Sequence, residues 1–180
     1  MSDHSISIVP KLSNYPDKEK KVKEILYWLV SLDIVKPTLS DCVLGPKHGY
    51  AISDGAKNIV NEPDYLHFGH ITNGLEIIIK RQVFDTGENG MDLLICPNCK
   101  QDISSEDWDF FNEWANNESD NITCPICKVG TDIHRFDFTP EWGFSDLGFT
   151  FWNWPELSES FISDFKRKLD CEVNIVLTWI

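Results

Sequence analysis

The stretch Cys96 to Cys127, CPNCKQDISSEDWDFFNEWANNESDNITCPIC, carries two matching turns, Cys96-Pro97-Asn98-Cys99 and Cys124-Pro125-Ile126-Cys127, separated by 24 residues. Each C-x-x-C turn can direct two thiolates at one ion, and two such turns close a tetrahedral four-cysteine shell at about 2.3 Å per bond. Zn²⁺ is the ion this spacing predicts. With Cys96, Cys99, Cys124 and Cys127 as ligands, no position remains for water or substrate, so the centre is structural rather than catalytic.

Between the turns, Lys100 to Thr123 is long for a minimal ribbon loop. Ser104-Ser105-Glu106-Asp107 resembles a capping box, with Ser104 as N-cap and Asp107 in the place usually taken by Glu, so a short helix is expected to follow. Trp108, Phe111 and Ala115 would share one face and Phe110 and Trp114 an adjacent one. Seven acids against one lysine give the insert a charge of -6. It reads first as a helix packed on its own zinc core. A partner-facing anchor is the second reading, and it would use Asp102, Glu106, Asp107, Trp108, Asp109 and Glu113.

Outward from the insert, the flanking sequence reads as an α+β core formed by residues 1–95 and 128–180, with 96–127 as an inserted zinc-ribbon lobe. Ile6 to Val9 forms a strand. A helix follows with Pro16 in its first turn, Val22, Ile25, Leu26, Leu29 and Leu32 on one face, and its end before Pro37. From Thr38 to Asn73, turn signals predict loops, one or two short strands and a helical turn near Ala56 to Val60. Leu75 to Phe84 is β-rich, and Gly87-Glu88-Asn89-Gly90 would return the chain as a hairpin through Met91 to Ile95, delivering Cys96. Gly148 to Trp152 is a strand. Leu157, Phe161, Ile162, Phe165 and Leu169 line a second helix, and Val173, Ile175, Leu177 and Trp179 alternate on one face of a last strand. Two helices on one face of a mostly antiparallel sheet result, resembling a ferredoxin-like fold with a zinc ribbon grafted between its halves.

The chain has 180 residues, 42% of them hydrophobic and 22 aromatic, enough for a full core. Formal charge is -13, and four thiolates with one Zn²⁺ would bring it near -15. Such a surface repels phosphate backbones and favours a basic protein partner. The N-terminus lacks the basic and apolar regions of a secretory signal, and no apolar run is long enough to span a membrane, so a cytoplasmic location is expected. There, thiols remain available for metal, and Cys42 and Cys171 read as small buried hydrophobes.

Six aromatics fall within Trp142 to Trp154. They read chiefly as core, with Trp142 and Trp152 as candidates for a partner-binding face. Phosphate-binding loops, the G-x-S-x-G elbow and H-E-x-x-H are absent from the sequence. His67 and His70 lack an acidic co-ligand at metal spacing. His134 reads as a strand histidine or a hydrogen-bond partner of a zinc thiolate, and Glu141 with Asp146 as charged turn residues or a carboxylate pair.

Ile71-Thr72-Asn73-Gly74-Leu75-Glu76-Ile77, the paired cysteine turns, and Glu141-Trp142-Gly143-Phe144 to Phe151-Trp152-Asn153-Trp154 together resemble a family of uncharacterised small bacterial four-cysteine zinc-ribbon proteins. Its members often carry a label as sugar ABC transporter ATPases, which the missing phosphate loop contradicts in this sequence. The resemblance implies a bacterial origin and four zinc ligands, and no catalytic residue. The leading expectation is an acidic immunity or inhibitor protein that neutralises a bacterial toxin by direct binding. A zinc-ribbon adaptor in a transcription or nucleic-acid process is the alternative, and an enzyme of unfamiliar type ranks below both.

Overall fold

The computed structural model describes residues 2–180. In chain order the elements are β1 (His4–Pro10), α1 (Lys18–Ser31), β2 (Val35–Ser40), β3 (Gly49–Ile52), β4 (Leu75–Ile78), β5 (Gln82–Phe84), β6 (Leu93–Ile95), α2 (Asn112–Ala115), β7 (Asn121–Thr123), β8 (Gly130–Asp132), β9 (Asp137–Thr139), β10 (Gly143–Ser145), β11 (Gly148–Trp152), α3 (Glu159–Leu169) and β12 (Val173–Trp179). Short 3-10 turns occupy Asp54–Asn58, Pro63–Tyr65, Trp108–Phe111 and Ile133–Arg135.

Six strands form one sheet in the order β12-β1-β11-β4-β3-β2, and every neighbouring pair is antiparallel. The path β1-α1-β4-β11-α3-β12 follows the βαββαβ plan of a ferredoxin-like unit, with β2 and β3 added as a meander before β4. β1 and β11 run in opposite directions, and their crossovers leave toward opposite edges of the sheet. A common hand therefore puts α1 and α3 on the same face.

That face is the main core. Ile6 and Ile8 of β1 and Phe149 and Phe151 of β11 meet Ile25 and Leu29 of α1 and Phe161, Phe165 and Leu169 of α3. Burying each of these large apolar side chains contributes about 1.5–3 kcal/mol. The Ser158 hydroxyl caps α3 by accepting the Phe161 N–H, and Lys166, Arg167 and Lys168 face its negative end.

The opposite sheet face follows by alternation and is polar. Ser7 stands beside Thr150, Thr150 beside Glu76, and Ser5 beside Trp152. All five are buried. β5 and β10 form a separate pair above this face. Gly148 admits the cover, because a Cβ there would lie 2.3 Å from the Phe84 ring.

Several expectations are corrected. α1 stops before Pro37 as expected, but it spans Lys18–Ser31, so Pro16 and Leu32 lie outside it; Pro37 lies in β2, an edge strand where a missing N–H is tolerated. Leu75 to Phe84 splits into β4 and β5 on different sheets, and β5 and β6 form no hairpin: β5 pairs with β10 and β6 with β9. On β12 the expected face is divided, since Leu177 and Trp179 are exposed while Val176 of the other face is fully buried. Cys42 is buried as expected, but Cys171 is only half-buried. Burial, followed by the Asp170 and Glu172 carboxylates, pushes the Cys171 thiol up to about 11.

Candidate metal centre and its acidic lobe

The two C-x-x-C turns fold alike because their backbones are tied alike. Lys100 N–H donates to Cys96 O and Lys128 N–H to Cys124 O, at 3.0 and 2.9 Å. Lys100 and Lys128 both take the left-handed conformation that turns the chain back under the sulfurs. The first turn closes through the Ile95–Asp102 bridge and the second through β7 and β8. Asn98 Nδ2 donates to Thr131 Oγ1 at 2.6 Å and joins the two turns.

All four sulfurs lie within 4.8 Å of one another. Cys96 and Cys127 are 3.9 Å apart and Cys99 and Cys124 3.8 Å. Metal–sulfur bonds of about 2.3 Å give a tetrahedron with edges of about 3.8 Å, so the geometry fits a tetrathiolate metal site. Disulfides at about 2.05 Å do not fit it. Burial opposes ionisation of Cys96, yet the Cys99 and Asn98 N–H groups and neighbouring thiols outweigh it and lower its thiol to about 7. At Cys99 the Gln101 N–H favours the thiolate, but desolvation and the three surrounding sulfurs prevail and raise it to about 11. A cation bound among the sulfurs would favour the thiolate form of all four.

The lobe has its own apolar core, which runs past the cysteines. Leu94, Ile103, Phe111, Trp114, Ile122, Ile133, Phe136, Trp142 and Phe144 pack around Cys96 and Cys124. Phe111 stacks on Trp142 and Phe144 at 5.8 and 5.7 Å between ring centroids.

Arg81 fastens this lobe to the sheet, a role that sequence reasoning missed. Its guanidinium lies 4.1 Å from the Trp114 ring centroid and donates to Trp114 O, Ser119 O and Asp120. Trp114 in turn donates its indole N–H to Ser13 Oγ at 2.8 Å. An arginine inside the β-rich run Leu75 to Phe84 was the available signal.

Ser104 is not a helix cap. Its N–H is taken by Asp102 Oδ1 and its hydroxyl by Asp92 O, so the helical turn starts later, at Trp108. Phe111 and Trp114 are its buried pair, and Ala115 is exposed. Asp102 is exposed but acts within the fold: it accepts the Leu94 and Ser104 N–H groups, which hold its carboxyl below the usual range.

Glu106, Asp107, Asp109 and Glu113 are exposed. Trp108 stands among them at 40% exposure, its indole N–H held by Ser104 O and its ring edge-on to Trp142 at 5.6 Å. Trp142 and Trp152 are corrections, because both are buried. Trp142 belongs to the aromatic stack, while Trp152 covers the second sheet face and donates to Glu76 Oε2 at 3.1 Å.

The histidines and carboxylates also find places. His134 sits in a 3-10 turn and touches no thiolate; Nδ1 faces Asp132 Oδ1 at 2.9 Å and Nε2 donates to Phe144 O at 2.7 Å. Both ring nitrogens are thus engaged. His67 and His70 are exposed loop residues, and among the described residues only the cysteines gather as a metal-binding group. Asp146 pairs with Lys18 and the Tyr15 N–H while Glu141 reaches Asn174, so these carboxylates have separate partners. Among the described residues no helix is long and apolar enough to cross a membrane.

No protein-family model matches the chain, and no curated protein or solved structure matches it.

Proposed function

We propose that the chain is a protein-binding protein of the inhibitor or immunity type, which neutralises a basic bacterial toxin by direct contact. Zn²⁺ is the ion in the four-cysteine centre, where it shapes the lobe and performs no reaction. The observation that carries this reading is the exposed set Glu106, Asp107, Trp108, Asp109 and Glu113, held on a short turn by the aromatic stack. An indole on rigid support is a suitable interface anchor, and surrounding carboxylates speed encounter with a basic surface.

The metal centre supports the same reading. With four protein sulfurs around one ion, no open coordination site is left for chemistry. The charge of -6 over Lys100 to Thr123 disfavours direct contact with nucleic-acid phosphates.

Coexpression with a basic toxin encoded beside the gene tests the proposal. Growth rescue and a purified complex are expected, and both should vanish when Glu106, Asp107, Asp109 and Glu113 are changed to lysine with metal content unchanged. Rescue that survives this charge reversal, or salt-dependent binding of nucleic acid by the lobe, would overturn it.

A further inference from the structure

A second polar centre lies on the sheet face away from α1 and α3. The cross-strand row Val176, Ser7, Thr150, Glu76 spans four strands in register, with Ser5 beside Trp152 and Thr178 in the next row. Polar residues on one face of an antiparallel sheet ordinarily face water. Here Ser5, Ser7, Thr150 and Glu76 are buried, Glu76 to 5% exposure. They line an open-sided cavity of about 260 Å³ whose walls include the apolar Leu44, Ile78, Phe84 and Trp152 and the charged Lys47 and Asp85.

A buried carboxylate on a sheet costs several kcal/mol unless a cation meets it, and an apolar residue would serve stability better. The cation present is the Lys47 ammonium, 2.8 Å from Glu76 Oε1. Its side chain comes from the loop between β2 and β3 and is 51% exposed. Glu76 Oε2 is held by the Trp152 indole, which fixes the carboxylate plane. The hydroxyls of Ser7 and Thr150, 2.8 Å apart, supply further acceptors beside it. An ammonium has three donors and no acceptor, and this set of acceptors matches it.

We propose that this cavity is a binding site for an alkylammonium group, and that Lys47, whose ammonium holds Glu76 from the cavity wall, gives way when an external amine enters. Glu76 supplies the charge, Ser7 and Thr150 accept the remaining donors, and Phe84 and Trp152 flank the alkyl stem. The volume lies below the range of about 300–1,000 Å³ for drug-sized sites, so the ligand is small: a free amine, or one lysine side chain of another protein. This site is separate from the acidic lobe, and its test does not depend on the lobe's partner.

The test uses the full chain with Lys47→Ala, and Lys47→Met as a second variant that keeps the alkyl stem should the first fold poorly. n-Butylammonium chloride is titrated while the Trp152 indole N–H is followed by NMR, assigned through Trp152→Phe, alongside the melting temperature. n-Butanol is the isosteric neutral control, sodium chloride the ionic one, and Nα-acetyl-lysine methylamide the peptide-like probe.

Saturable movement of the Trp152 signal and a rise in melting temperature are expected with the amine and not with butanol or salt. Lys47 competes for Glu76 as a tethered ammonium, so the unsubstituted chain should bind the amine more weakly than Lys47→Ala. Glu76→Gln combined with Lys47→Ala should abolish the response. Tighter binding of the lysine derivative than of butylammonium identifies a protein side chain as the ligand, and the reverse identifies a free amine. No saturable response in either folded Lys47 variant, or an equal response to butanol, overturns the proposal.

Discussion

Replacing Trp114 by alanine is predicted to detach the lobe from the sheet without removing its metal ligands. Trp114 is fully buried in the aromatic cluster. An indole buries up to about 250 Å², and at about 25 cal/mol per Å² its removal forfeits about 6 kcal/mol as an upper bound. Large aromatic-to-alanine changes in cores cost about 3–5 kcal/mol, so about 4 kcal/mol is expected once partial collapse is allowed. Trp114→Phe keeps most of the ring and loses the bond to Ser13, with an expected cost of about 1–2 kcal/mol. Urea denaturation of both variants measures these differences, and hydrogen exchange locates them. The amides of β7 and α2 should lose protection before those of β1 and β11. A loss below about 1.5 kcal/mol for alanine, or uniform loss of protection, would refute the idea that this indole fastens the lobe.

Further outcomes follow from individual contacts. Arg81→Ala should cost about 2–3 kcal/mol by leaving Trp114 O and Ser119 O without their donor, and less in a Trp114→Ala background, which a double-mutant cycle in urea detects. Asp102→Ala should lower the melting temperature at neutral pH. Because the folded carboxyl is held below its usual value, this penalty should shrink as acid protonates it, and thermal scans against pH follow the loss. Tyr15, whose hydroxyl donates to Leu169 O at 2.5 Å, is raised to about 12, first by burial and then by nearby negative groups. Its raised value contributes stability that is complete below about pH 10 and lost as pH rises through about 12. Alkaline absorbance titration should therefore show one of the four tyrosines ionising late, and Tyr15→Phe should remove that step.

Much of this architecture was legible because local signals agreed with the global arrangement. Gly148 to Trp152 is the strand its alternation predicts, and Phe161, Phe165 and Leu169 are the buried stripe that helical spacing predicts. The cysteine pairs come together because each turn is a local unit whose geometry is set within a few residues.

Three-residue strands carry no comparable signal. β5 chooses β10, some sixty residues away, and β6 chooses β9, because the lobe brings them into register; the local Gly87 to Gly90 turn was a false lead. At Ser104 the competition was local, with Asp102 capturing the N–H that Asp107 would have taken in a capping box. The Glu76 row was invisible for a different reason. A single acid in Leu75 to Phe84 reads as a solvent-facing strand residue, and only the cover of β5 and the loop carrying Lys47 reveals that it is enclosed.

The tetrathiolate centre can be measured directly on freshly purified, reduced protein by elemental analysis combined with X-ray absorption at the metal edge. One zinc per chain with four sulfur ligands at about 2.3 Å is the predicted result. Protein that folds fully without metal, or a first shell containing nitrogen or oxygen in place of a cysteine sulfur, would contradict the account.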